Sequence, residues 1–219
     1  MILIIFPKEK KRATKKTDRE TDMTSGYIRA TLVVLALGFL SACETPTLMP
    51  TYPELTWNHL TPISFKAGSV EIADNYVAPL KSPNLDHEFP ITPEASLQRW
   101  TVDRINATDD TLRRVRMTIL DASVVGVPLK TKDGIKGLFY KEQAFRIDAT
   151  LEAMIEVRDD RGFVKSSARA RVNRSRTVPE ETSPNALDKI YFNLLEALMT
   201  DFNVRMELEI RKHMGGDLE

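Results

Sequence analysis

The clearest pattern in the chain is a strict alternation. Phe145, Ile147, Ala149, Leu151, Ala153, Ile155 and Val157 are apolar at seven successive odd positions, while Arg146, Asp148, Thr150, Glu152, Glu156 and Arg158 between them are polar or charged. Side chains along a strand point to opposite faces in turn, so this spacing predicts a long strand with one face on a core and the other in water, as an antiparallel sheet permits. Asp159-Asp160-Arg161-Gly162 supplies a turn, after which Val164, Ala168, Ala170 and Val172 alternate with Lys165, Arg169, Arg171 and Asn173. The two runs together predict a long hairpin.

Two more strands are expected upstream. Gly68 to Val77 alternates at Val70, Ile72 and Tyr76, and Arg113 to Val125 alternates at Val115, Met117 and Ile119 before the apolar parity moves to Leu120, Ala122 and Val124. A parity change inside one strand predicts a bulge or bend, here near Leu120 and Asp121. Helical spacing appears twice. Thr92-Pro93-Glu94 offers a capping hydroxyl, a first-turn proline and an acidic residue for the positive end of the dipole, followed by Leu97, Trp100 and Ile105 up to about Asn106. Ser183-Pro184-Asn185 opens a second helix through Leu187, Ile190, Tyr191, Leu194, Leu198 and Phe202, which Gly215-Gly216 ends. The order strand, helix, three strands, helix predicts an α+β two-layer sandwich, a mainly antiparallel four-stranded sheet packed against two helices.

Near the start, a different pattern changes what has to be explained. Thr31 to Leu40 is a continuous apolar run, preceded by Arg29 and followed by Ser41, Ala42 and Cys43, the one cysteine in the chain. The run is too short to cross a bilayer, which takes about 20 apolar residues, but suits the core of an export signal with small residues at its cut. Leu40-Ser41-Ala42-Cys43 resembles the lipobox of bacterial lipoproteins. The resemblance implies that Cys43 is acylated, becomes the new N-terminus and holds the protein to a membrane of the cell envelope. Glu44 follows it; in the enterobacterial members of the family an aspartate at that place signals inner-membrane retention, so the resemblance implies an outer-membrane location facing the periplasm. Residues 1–22, with basic blocks at Lys8 to Arg12 and at Lys15-Lys16, precede an in-frame Met23 that itself opens a typical signal. Either start leaves them out of the mature protein.

On this frame the expected divisions are 1–42 as n-region extension and signal peptide, 43–62 as lipidated N-terminus and flexible tether, 63–214 as a single α+β domain, and 215–219 as a tail. The tether reading rests on Pro46, Pro50, Pro53 and Pro62 and on the lack of periodicity around them, with Tyr52 and Trp57 expected to dock on the domain. Removal of 42 residues from 219 leaves 177, enough for one domain with its own core. Removal also takes away eight Lys/Arg and four Asp/Glu, so 31 of each become 23 basic and 27 acidic, a net charge of −4. That balance argues against general nucleic-acid binding, which needs concentrated positive charge. With no second cysteine, an internal disulfide is excluded.

Residue patterns that carry chemistry are few. His59, His87 and His213 lie far apart in the chain without metal-ligand spacing, and Asp86-His87-Glu88 in a Pro-rich stretch reads as solvated surface. No Gly-x-Ser-x-Gly elbow or Gly-rich phosphate loop occurs, and Asp109-Asp110, Asp159-Asp160 and Glu180-Glu181 sit where turns are expected. The expectation is therefore no catalytic residue, no metal and no cofactor. Two features invite a binding reading. Lys130, Lys132, Ile135, Lys136, Leu138, Phe139, Tyr140 and Lys141 mix apolar and basic residues in one connection between strands, suited to an anionic interface or a partner, or else folded back over the sheet. Lys165, Arg169, Arg171, Arg174 and Arg176 form a basic row on the last strand, explained by cross-strand ion pairs or by an anionic ligand.

The function expected from these readings is a non-enzymatic, membrane-anchored envelope lipoprotein that serves as an accessory or assembly subunit, with the membrane and an envelope protein as partners. In element order the chain looks similar to small auxiliary lipoproteins of lipid or lipopolysaccharide transport systems, which implies a place in such a complex. The competing class is a periplasmic hydrolase or ligand-binding protein, which needs a concave pocket with converging polar groups.

Overall fold

The elements, in chain order, are β1 (Ile63–Phe65), β2 (Ser69–Asp74), α1 (Pro93–Arg104), β3 (Ile105–Ala107), β4 (Arg114–Asp121), β5 (Val124–Pro128), β6 (Gln143–Arg158), β7 (Val164–Pro179) and α2 (Pro184–His213), with short 3-10 turns at Asp86–Glu88 and Gly215–Asp217. They come from a computed structural model that describes residues 51–109, 111–129 and 143–219.

The predicted hairpin forms the spine. β6 and β7 pair antiparallel from Gln143↔Pro179 to Arg158↔Val164, so β7 occupies one side of β6 along its whole length. The other side of β6 is shared. Its C-terminal half pairs with β4 (Val157↔Val115, Ile155↔Met117) and its N-terminal half with β5 (Ala149↔Val124, Ile147↔Gly126). The expected bulge is present, as a register shift between Ile119 and Asp121. Beyond the bulge the chain departs from expectation: it turns at Ala122 and Ser123, with Asp121 Oδ1 accepting from the Ser123 amide at 3.0 Å, and begins a separate strand. The parity change is a strand end, because a chain that leaves one register on β6 and rejoins it in another must break its ladder in between. β2 closes the sheet as a parallel neighbour of β4.

The described sheet therefore has five strands instead of four. β1 and β3 form a second, parallel pair of three residues each. Strands of three residues carry too few positions for alternation to show in sequence.

Both helices begin as their caps require. Thr92 Oγ1 accepts from the Ala95 amide at 3.2 Å and Ser183 Oγ from that of Ala186 at 3.4 Å, each followed by proline in the first turn. Ile147, Leu151, Ile155 and Val157 from β6, Val115, Met117 and Ile119 from β4, and Ala168 and Ala170 from β7 are buried together with Leu195, Leu198, Phe202, Met206 and Ile210 of α2. Small residues on β7 let the long helix approach the sheet. Trp100 of α1 meets Phe202 edge-on, with ring centroids 5.2 Å apart, and donates its indole N–H to Asn203 Oδ1 at 2.9 Å.

Packing starts before residue 63 and continues past 214, which corrects both expected boundaries. Tyr52 stacks on Phe192 at 5.0 Å, Trp57 is buried, and the Trp57 amide donates to Asp103 Oδ2 at 2.8 Å. The tyrosine and tryptophan are docked as expected, so from Tyr52 onward the segment read as tether is part of the domain. Residues 215–219 are not a tail. The Lys66 amide donates to the Asp217 carbonyl, the Glu219 amide to the Ser64 carbonyl, and Phe65 bridges Leu218. Five residues without periodicity give no sign of this; the partner strand β1 is shorter still, at three residues.

At the start of β2, Gly68 is held by close approach. A Cβ there would lie 2.1 Å from the Thr111 carbonyl oxygen, a backbone atom that cannot rotate away. Gly68→Ala is expected to lower stability by about 1–3 kcal/mol, as overpacking does. Urea unfolding that places it within about 0.5 kcal/mol of the parent, the scatter of neutral surface changes, would contradict this close packing.

Candidate functional site

The face of the sheet turned away from the helices is a lattice of charges. Glu152 and Glu156 of β6 point outward yet are only 7% and 6% exposed. This corrects the expectation that the polar face of the strand simply meets water. Arg169 donates to Glu152 at 2.5 Å and Arg171 reaches it at 3.4 Å, while Arg158 holds Glu156 at 2.7 Å. An arginine stem can cover a carboxylate while its head group stays wet, which accounts for carboxylates buried on an outward face. Further along β6, Arg146 grips Asp148 with two bonds of 2.7 Å, and Ser175 Oγ donates to the same carboxylate.

The basic row of β7 divides between the two faces. Arg169 and Arg171 join the lattice, as the ion-pair reading expects, whereas Arg174 points to the helical side and grips Asp201 of α2 at 2.6 and 3.0 Å. Lys165 and Arg176 are exposed. Among the described residues β7 pairs only with β6, so its second edge presents unpaired backbone groups along the strand. Charged side chains on such an edge discourage unspecific strand pairing and also set which partner can approach.

The arginine partners hold the carboxyls of Asp148 and Asp201 below the ordinary aspartate range, in each case chiefly through the guanidinium hydrogen bond. A carboxyl depressed in the folded state adds stability that is complete above its unfolded pKa, near 3.9, and is lost as pH falls through the lower folded value. Thermal unfolding should therefore show a steeper acid fall in the parent than in Asp201→Asn, with the two curves converging at the lowest pH. Parallel curves down to about pH 2, below the ordinary aspartate range, would remove Asp201 from the account.

A second place with unusual chemistry lies at the end of β2, where a cavity of about 160 Å³ is lined by Tyr76, Leu80, Asp86, Glu94, Ala122 and their neighbours. Asp86 is 3% exposed. Among the described residues neither its Oδ1 nor the buried Tyr76 hydroxyl makes a well-formed hydrogen bond. Burial and then the nearby Asp86 carboxylate push the Tyr76 phenol well above its usual range, so it stays protonated. At the rim, Gln98 Nε2 donates to Asp74 Oδ2 at 3.4 Å and to Glu94 Oε1 at 3.3 Å. Glu94 is raised, first by its hydrogen bond with Asp74 and then by burial.

A carboxyl raised in the folded state costs stability above its unfolded pKa, so Glu94→Gln should raise the unfolding temperature at neutral pH. The gain should vanish below about pH 4, where glutamate is protonated in both states. A lowered midpoint at neutral pH would contradict an unfavourable Glu94 charge beside Asp74.

Cys43 and the set Lys130, Lys132, Ile135, Lys136, Leu138, Phe139, Tyr140 and Lys141 lie outside the described residues. Asp86-His87-Glu88, expected as solvated surface, is corrected in part: His87 is exposed, but Asp86 is buried and Glu88 Oε2 accepts from the Tyr191 hydroxyl at 3.3 Å. Among the described residues no group of three or more His, Cys, Asp or Glu is placed to hold a metal. Asp159 serves its turn, accepting from the Arg161 and Phe163 amides. The Tyr76–Asp86 cavity leaves no trace in the sequence, since Asp86 sits in a stretch with neither strand nor helix spacing.

No family model and no curated protein matches the chain. Among solved structures it is similar to a minor lipoprotein from Acinetobacter baumannii, at 11% identity over 68% of this chain and 92% of that one, with a TM-score of 0.32. A Xanthomonas campestris protein of family DUF330 is similar at 12% identity over 74% and 93%, TM-score 0.32. Rare lipoprotein B from Shewanella oneidensis is similar at 9% identity over 65% and 89%, TM-score 0.31. Likenesses at this level carry no argument about what this chain does.

Proposed function

We propose that this protein is a non-enzymatic, membrane-anchored envelope lipoprotein that acts as an accessory or assembly subunit, held by acylated Cys43 at the outer membrane and facing the periplasm. In its sharpest form the partner is a lipid-transport complex. The observation that carries the interaction role is β7: a sixteen-residue strand with an edge unpaired among the described residues and basic side chains directed to both faces. Backbone groups along such an edge give affinity to an added strand, and the charges select an acidic one. The basic apolar segment from Lys130 to Lys141 is the second proposed contact. The anchor is read from Leu40-Ser41-Ala42-Cys43, and packing begins at Tyr52, nine residues after the cysteine. Nine residues span at most about 30 Å, so an anchor at Cys43 keeps the domain close to the membrane surface.

The test is a pull-down of the acylated protein from native membranes. A defined envelope partner should co-isolate, and charge reversal at both Lys132 and Lys136, or at Lys165 and Arg176, should reduce its recovery. Recovery unchanged by both pairs of reversals would remove these surfaces from the proposal.

A further inference from the structure

A buried carboxylate in a protein is nearly always paired, because removing an isolated charge from water costs several kcal/mol. Asp86 breaks that pattern. It is 3% exposed and its Oδ1 accepts no well-formed hydrogen bond among the described residues; the buried Tyr76 hydroxyl lies within reach of the same carboxylate but is not aligned to complete a bond. Asp86, Asp121 and Glu94 all act on that hydroxyl as negative charges. No lysine or arginine is among the residues that line the cavity, and its one basic group, His87, is exposed. The remaining walls are the apolar Ala78, Leu80, Pro93 and Ala122, together with Thr92, whose hydroxyl caps α1.

We infer that the cavity between Tyr76, Asp86 and Glu94 is a binding site for the tip of a primary alkylammonium group. The chemistry of the vacant atoms selects this class. Asp86 Oδ1 needs a donor, the Tyr76 oxygen can accept one, and an ammonium carries three N–H donors together with the positive charge that the carboxylates lack. A neutral hydroxyl would satisfy geometry but leave the charge unbalanced. The volume of about 160 Å³ is smaller than the roughly 300–1,000 Å³ of an ordinary metabolite site, so it accepts an aminoalkyl end and not a whole metabolite. Leu80 and Pro93 would flank the methylene groups. An aminoalkyl tip can come from a free amine or from a lysine side chain on another polypeptide. The site is independent of Cys43 and of the β7 edge.

The experiment uses the full acylated protein in nonionic detergent and saturation-transfer NMR with n-butylammonium, n-butanol and Nα-acetyl-lysine methylamide as separate probes. Saturable transfer to n-butylammonium, with none to n-butanol, is expected. Asp86→Asn should weaken it about ten- to a hundredfold, the range for loss of a charge-assisted hydrogen bond. Tyr76→Phe, which keeps the ring, should weaken it by a smaller factor. Binding of the lysine derivative at a similar level assigns the tip to a polypeptide side chain; binding of n-butylammonium alone assigns it to a free amine. Transfer to n-butylammonium that does not saturate, or that n-butanol matches, overturns the inference. So does equal binding by Asp86→Asn with an unchanged unfolding temperature; should that variant fail to fold, equal binding by Tyr76→Phe overturns it instead.

Discussion

Cys43→Ala is expected to abolish metabolic labelling by a palmitate analogue and to leave the protein either as a soluble, unanchored domain or as an uncut precursor that keeps the apolar run Thr31 to Leu40. The size of this effect follows from how acyl chains hold proteins. One chain gives marginal, reversible binding, at about 0.8 kcal/mol per buried methylene, while two or more give a stable anchor. On the proposed anchor, the acyl chains would sit on one sulfur and one new amino group, both of residue 43. Among the described residues no helix is long and apolar enough to cross a membrane. Labelling that persists in Cys43→Ala would refute the lipobox reading and the anchored location with it. A second start at Met23 makes a companion result: a chain begun there should be labelled as fully as one begun at Met1.

Arg104→Met is expected to destabilise the domain by about 3 kcal/mol, near the lower end for breaking a buried ion pair by removing one member. Arg104 closes α1, is 2% exposed, and uses every edge of its guanidinium. Nη2 meets Glu207 Oε2 of α2 at 2.6 Å, Nε donates to Asn203 Oδ1 at 3.1 Å, and Nη1 donates to the Thr61 carbonyl. One side chain thereby ties the entering segment to both helices. Glu207→Gln should cost less, because Glu207 is 29% exposed and keeps Arg211 as a partner at 2.7 Å. Arg104→Met combined with Glu207→Met should cost less than the sum of the single changes, the signature of direct coupling. Strict additivity in denaturant unfolding would show that the network does not act as a unit.

How much of the fold is legible in the sequence depends on element length. β6 can be read because seven odd positions repeat one choice, and both helices because threonine or serine followed by proline marks a start that the backbone requires. The basic row places Arg174 and Arg176 on β7 but hides their side of the sheet, since both look like surface residues although they occupy positions on the helical face. The split between β4 and β5 is legible as a parity change but not as two strands, since a bulge and a break leave the same trace in a pattern of apolar residues. β1, β3 and the docked C-terminus fall below the length at which periodicity can be detected at all.

The candidate sites obey a similar rule. The lattice on Glu152 is foreseeable, because opposite charges on facing strands are local information once the hairpin is known. Asp86 is not. Its burial is decided by β2, the loop before β5 and the start of α1 meeting in space, with the Leu85 amide bonded to the Val124 carbonyl and the Gly126 amide to that of Pro83. No spacing along the chain encodes that meeting.

The docking of the last three residues on β1 bears on the order in which the molecule forms. β6 and β7 are neighbours in the chain and can zip without closing a long loop, whereas β1 receives Leu218, about 150 positions further on, only against the loop-closure entropy of nearly the whole domain. The hairpin is therefore expected to form early and the β1 edge late. The edge of the first strand is therefore completed only once residues 217–219 have been made and can reach it. In the exported protein proposed above, that delay would keep the N-terminal half in a translocatable state while the rest of the domain is still being made.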